Sequence, residues 1–293
     1  MINTHWDDER LFQETRKIII ALTQHITFNE FLPRILGENF MGLYNLELEK
    51  EDYFYDYDSQ CQVNILNEFA TSAFRFGHSL IPDQFKLRGG SLASLVNDDL
   101  ENIQLRRHIN NPDLLMSPMF ADELVMGMVE LPMAKYDRFI VNEVRNHLME
   151  NSGLEHSGID LAAVNIQRGR DHGLRSFVDY ESYCSKDILQ RLNTNQADSS
   201  SQSSYTKIRD WQDLQIRNFD DETVEKLKEV YKNVEDIDFF TGGLSEKSLP
   251  DGLVGNNHLF LVCQSSIFTI FFLNSPFFVN SKLSTFCFFL SIL

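Results

Sequence analysis

A mainly α-helical domain is the fold class this sequence predicts, and three observations predict it. Apolar residues recur at helical spacing in several separate stretches, strand-like alternation is scarce, and prolines fall where helices should stop. With 293 residues, 43% of them hydrophobic and 24% charged, the chain can bury a sizeable core and has no compositional reason to stay unfolded. It contains no internal repeat.

The first element spans 8–36, where Leu11, Phe12, Ile18, Ile19, Leu22 and Ile26 recur at helical spacing until Pro33 interrupts them. A core helix or helix pair is expected there. Residues 43–60 are rich in Tyr, Asp and Glu without a period, which reads as a surface connection. A helix should resume near Asn64, continue through His78 and stop before Pro82. Further helices are expected at about 121–129, 135–150, 160–171 and 222–233. The polar run 193–204 carries almost no hydrophobic surface and is expected to be a loop inside the domain. Residues 256–293 hold nine of the 24 phenylalanines and one charge, Lys282. They read as a divergent tail outside a domain formed by 1–255, as from a truncated or misjoined reading frame. Segment 259–281 is uncharged and long enough to cross a bilayer. Gln264, Asn274 and Pro276 interrupt it and it lacks basic flanks and aromatic belts, so membrane insertion is not expected.

Two stretches 87 residues apart carry the chemistry: Ala73-Phe74-Arg75-Phe76-Gly77-His78-Ser79-Leu80 and Asn165-Ile166-Gln167-Arg168-Gly169-Arg170-Asp171-His172-Gly173. Each sets an arginine three positions from a polar residue, Arg75 with His78 and Arg168 with Asn165, so each pair shares a helix face. An imidazole, a residue to orient it and guanidinium groups for carboxylates suit a flat, anionic, iron-bearing cofactor such as haem. Ala70, Ala73 and Gly77 would admit a planar ring, with Phe69, Phe74 and Phe76 as apolar walls. On local sequence alone, His78 reads as an ordinary core or surface histidine. The neighbours of Asp171, His172 and Gly173 are those of a helix end, and no catalytic role is assigned to them.

These stretches, together with Trp6-Asp7-Asp8-Glu9-Arg10, His25-Ile26-Thr27-Phe28-Asn29-Glu30-Phe31-Leu32-Pro33 and Asp236-Ile237-Asp238-Phe239-Phe240-Thr241-Gly242-Gly243, resemble in order the landmarks of the animal haem peroxidases. That family includes myeloperoxidase, peroxidasin and the chorion peroxidases, and the resemblance covers roughly residues 4–255. It implies a peroxidase-like helical domain, incomplete at its N-terminal side, and a secreted, haem b-dependent oxidoreductase using hydrogen peroxide to oxidise small organic donors or halides. It also implies His78 as axial iron ligand, Asn165 as acceptor of the other imidazole N–H, and Arg75 and Arg168 as clamps for the haem propionates. The family's distal histidine and arginine lie in Gln-Asp-x-x-His and Arg-x-x-Glu types of pattern, and neither occurs in this sequence. No catalytic acid–base residue is therefore assigned, and the family's calcium site is expected to be absent. The alternative is a catalytically inactive haem-binding or secreted adhesion protein of the same fold.

Composition excludes other classes. A net charge of -17 with no basic stripe argues against nucleic-acid binding. Cys61, Cys184, Cys263 and Cys287 show no CxxC pair, the N-terminus shows no signal peptide, and there is no Asn-x-Ser/Thr acceptor. Peroxide cleavage needs a base and a cation opposite the iron. The 293-residue polypeptide, loaded with haem and assayed with peroxide and a phenolic donor, is accordingly expected to show little or no turnover. Robust turnover that disappears in His78→Ala would refute this.

Overall fold

Asp7 opens the first helix, its carboxylate accepting the Arg10 N–H at 2.8 Å, and α1 then runs over Asp8–His25. A π-helical turn, Ile26–Phe31, carries the chain straight into α2, Leu32–Leu36. The expected break at Pro33 does not occur. Proline sits in the first turn of α2, where its missing N–H is not needed, and the wider π turn just before it relieves the crowding that a proline ring imposes on the preceding turn. Gly37, at φ +81, ends α2 and starts α3, Glu38–Leu43. A computed structural model provides these coordinates and describes residues 3–47, 66–88, 102–109, 112–151, 153–154, 156–195, 206–217 and 219–255. The Phe-rich tail, most of the stretch 43–60, nearly all of the polar run 193–204, Cys61, Cys263, Cys287 and His258 lie outside the described residues.

After α4, Asn67–Thr71, the backbone turns at Ser72 and continues as a 3-10 helix, Ala73–Leu80. One continuous α-helix was expected here. Ile81 is extended, as the residue before Pro82 must be, so the end falls where the sequence placed it. A short hairpin pairs β1, Gln84–Lys86, with β2, Asn102–Gln104, setting Phe85 opposite Ile103. It leads through α5, Leu105–His108, and a 3-10 turn, Pro112–Met116, to α6, Phe120–Glu130, matching the expected helix at 121–129. The helix expected over 135–150 shrinks to α7, Asn142–Arg145. Asp137 instead accepts the Phe139 N–H at 2.9 Å, a local bond that competes with helix formation, and Arg138 reaches out to Glu222 and Thr223.

The second half is more regular. Asp160 caps α8, Leu161–Asp171, by accepting the Ala163 N–H at 3.0 Å. Then come α9, Phe177–Asn195, which the sequence did not mark, and α10, Trp211–Ile216. Asp220 caps α11, Asp221–Val230, and a 3-10 turn, Val234–Asp236, leads into α12, Phe239–Ser245. No described helix is long and apolar enough to cross a membrane.

α12 organises the core: it packs on α8, on α9 and on the 3-10 helix. Its Phe239, Phe240 and Leu244 join Phe69, Phe76 and Phe177 in one buried cluster. Each such side chain contributes about 1.5–3 kcal/mol through burial. Burial first, and the charge of Glu246 second, push the Tyr136 phenol well above its ordinary pKa, so it stays protonated and donates to the Gly243 carbonyl at 2.9 Å. α1 departs from expectation. Ile20 is its buried residue, while Leu11, Phe12, Ile18, Ile19 and Leu22 are exposed, so its apolar face does not form core among the described residues. Glycine at 242 is required by the approach of α9, because a Cβ there would overlap the Phe177 ring. Gly242→Ala should therefore lower the unfolding free energy by about 1–3 kcal/mol through overpacking, seen as a lower urea midpoint at unchanged slope. An unchanged midpoint would show that α12 can slide off α9.

Candidate functional site

His78 lies buried on the 3-10 helix, and the fold brings it against Asn165 of α8. The His78 Nδ1 and Asn165 Nδ2 are 2.7 Å apart, and Asn165 is fully buried. Arg75, one 3-10 turn before His78, donates from Nη1 to Asn165 Oδ1 at 3.0 Å and from Nε to the Ala70 carbonyl at 3.2 Å. Residues three apart eclipse one another on a 3-10 helix, so both Arg75 and His78 face the same amide. The sequence reading gave the Asn165 oxygen to the imidazole. In the structure Arg75 takes that oxygen, and the amide presents its NH2 to His78.

Arg168 stands apart from this trio. Its guanidinium is exposed and loosely paired with Asp171 at 3.8 Å. It is nonetheless close enough to act on Arg75, whose pKa is lowered first by burial and then by the Arg168 charge. A second positive charge near Arg75 favours an anion there. Around them, Phe69 and Phe74 stack with centroids 4.7 Å apart, and Phe76 lies tilted against Tyr136 at 6.2 Å. Of the small residues, Ala73 is buried in the main core, whereas a Cβ at Gly77 would meet nothing within 4 Å among the described residues. A buried, amide-bonded imidazole, the half-buried Arg75 guanidinium and an open backbone at Gly77 fit a flat, anionic, metal-bearing group.

The end of α8 is fixed by more than backbone. Gly173, at φ +66, closes the helix, with its N–H on the Arg170 carbonyl at 3.0 Å and the Leu174 N–H on the Gly169 carbonyl at 2.9 Å. His172 Nδ1 lies 2.7 Å from Asn67 Oδ1, tying α8 to α4. Arg170 grips Asp238, whose hydrogen bond and charge raise the pKa of the guanidinium. Asp238 is a residue the sequence reading passed over. The available signal was one of two aspartates in one landmark stretch and an unassigned arginine in another. His147 pairs with Glu150 at 2.6 Å, away from the site.

Comparison with known proteins places the chain in a family and a fold. The family model described as "Animal haem peroxidase" matches residues 1–269. The chorion peroxidase of Drosophila melanogaster is 34% identical over 260 residues, covering 87% of this chain and 28% of that protein. The Caenorhabditis elegans peroxidasin homolog pxn-2 is also 34% identical, covering 87% of this chain and 17% of that protein. The chain thus spans less than a third of the length of these relatives. Among solved structures, peroxidase A from Dictyostelium discoideum superposes with a TM-score of 0.70 at 26% identity, over 96% of this chain and 46% of that one.

The buried pair has a measurable cost of removal. Asn165→Ala takes the amide from both His78 and Arg75 inside the protein, and should destabilise the haem-free chain by about 1–3 kcal/mol. Urea unfolding of the variant against the parent checks this, and equal midpoints would mean that water replaces the amide.

Proposed function

The chain belongs to the animal haem peroxidase family, and we propose that its own residues form the side of such an enzyme that holds the haem iron. In this reading His78 is the axial ligand, Asn165 orients it, and Arg75 and Arg168 receive the propionates. The observation that carries it is the buried contact of His78 with Asn165, to which Arg75 is also bonded. When bound, haem supplies an iron centre that hydrogen peroxide can oxidise and that small donors or halides return to rest. The reading places the protein outside the cell, where peroxide serves as oxidant.

The residues do the proton bookkeeping. An imidazole that gives its Nε2 lone pair to a metal keeps its proton on Nδ1 and needs an acceptor there. Asn165 meets that need by a half-turn of its amide, which brings Oδ1 to the imidazole. The same half-turn breaks the bond to Arg75 and leaves that guanidinium to pair with a carboxylate. One amide thereby couples the state of the histidine to the state of the arginine. A neutral amide also places less negative charge on the imidazole than a carboxylate partner would, which favours a more readily reduced iron.

Haem titration of the purified chain tests the reading. His78→Ala should lose the histidine-type Soret spectrum, and Arg75→Ala should weaken haem binding more than Arg168→Ala, because Arg75 is half-buried and Arg168 is exposed, where water screens its charge. A parent-like Soret band in His78→Ala would sink the assignment.

A further inference from the structure

We propose that Asp238 is a positioning residue for the His78–Asn165 pair, acting through Arg170. The proposal rests on the reading of His78 as iron ligand. Arg170 meets Asp238 with its whole fork, Nε to Oδ1 at 2.9 Å and Nη2 to Oδ2 at 2.7 Å. Tyr231 donates to the same Oδ2 at 2.8 Å. The Asp238 carboxylate is mostly buried while Arg170 is exposed, so what sets this pair apart from an ordinary surface ion pair is its two-point geometry and the third bond from Tyr231.

Asp238 is itself held in place. It bridges to Ser176, the neighbouring Ile237 carbonyl accepts the Phe177 N–H at 2.8 Å, and its own carbonyl accepts the Gly242 N–H at 2.9 Å in the first turn of α12. Arg170 therefore pins the last turn of α8 to the element that packs on both sides of the site. Asn165 lies five residues before Arg170 on that helix. Asn165 and Asp238 line one cleft with Phe239 and with Ser72, where the chain turns into the His78-bearing 3-10 helix. A hydrogen bond of 2.7 Å tolerates little sliding, and an ångström of movement of α8 would remove it. Arg170 and Asp238, which had no role in the reading of the site, thus form a clamp between α8 and the start of α12.

The test uses the full chain with Asp238→Asn, Arg170→Gln and Arg170→Lys, and takes Arg138→Gln, which breaks the Arg138–Glu222 pair away from the site, as comparator. Without haem, hydrogen exchange of residues 161–171 is read; with haem, the ferrous iron–histidine stretching band is read by resonance Raman. Asp238→Asn and Arg170→Gln should speed exchange several-fold and shift or broaden the band, Arg170→Lys should recover part of both, and Arg138→Gln should change neither. Faster exchange with an unmoved band would make the clamp a matter of fold alone and overturn the proposal. Should Asp238→Asn fail to fold, the Arg170→Lys band decides in the same way. A Soret band that survives His78→Ala would remove the iron-ligand reading and the proposal with it, while the haem-free exchange would still report whether Arg170 holds α8.

Discussion

A buried imidazole must be given a partner, and in this chain the partner comes from 87 residues away. No local structure can bring Asn165 to His78, so the packing of α8 against the 3-10 helix has to be right to within a hydrogen-bond length. The rest of the second half can be understood as meeting that demand. Asp160 sets where α8 begins, Gly173 sets where it ends, His172 ties it to α4 and Arg170 ties it to α12. The two glycines of α12, poor helix formers, are tolerated because Gly242 admits Phe177 and the Gly243 carbonyl receives Tyr136. What α12 loses in propensity it regains in closeness of approach.

The change from α to 3-10 geometry at Ser72 has a chemical consequence. In an α-helix, residues three apart are offset by about 60°, whereas in a 3-10 helix they eclipse. Arg75 and His78 can then address one side chain together. The Asn165 amide has one oxygen and one NH2, and in the structure the oxygen faces Arg75 and the NH2 faces His78. That orientation gives the oxygen to the charged donor, whose hydrogen bond is the stronger. In the proposed reading, a carboxylate offered to Arg75 would free that oxygen for the imidazole N–H.

Much of this was legible in the sequence, for reasons that differ by element. α8 was readable because its caps are local chemistry, an aspartate before it and a glycine after it. The end of the His78 segment was readable because a proline dictates the backbone before it. His78, Asn165, Arg75 and Arg168 were readable as a set of residue types suited to one cofactor, and three of them meet by direct hydrogen bonds. The helix expected at 135–150 failed because Asp137 offers the backbone a competing bond and Arg138 a distant partner, neither of which periodicity registers. α1 formed where its apolar spacing said it would, yet that spacing reports which side chains share a face and not whether anything covers it. The direction of the Asn165 amide was hidden for a similar reason, being set by Arg75 in three dimensions.

Charge makes the site's selectivity a local matter. The chain carries a net charge of -17, so a dianionic cofactor approaching from afar meets repulsion. At physiological salt such repulsion fades over about 8 Å, and inside that range the guanidinium groups of Arg75 and Arg168 dominate. Burial first, and the Arg168 charge second, lower the pKa of Arg75, and in the proposed reading a carboxylate beside it would offset both. An acidic protein can thus hold an acidic cofactor, provided the cations that face it are few, close together and partly withdrawn from water.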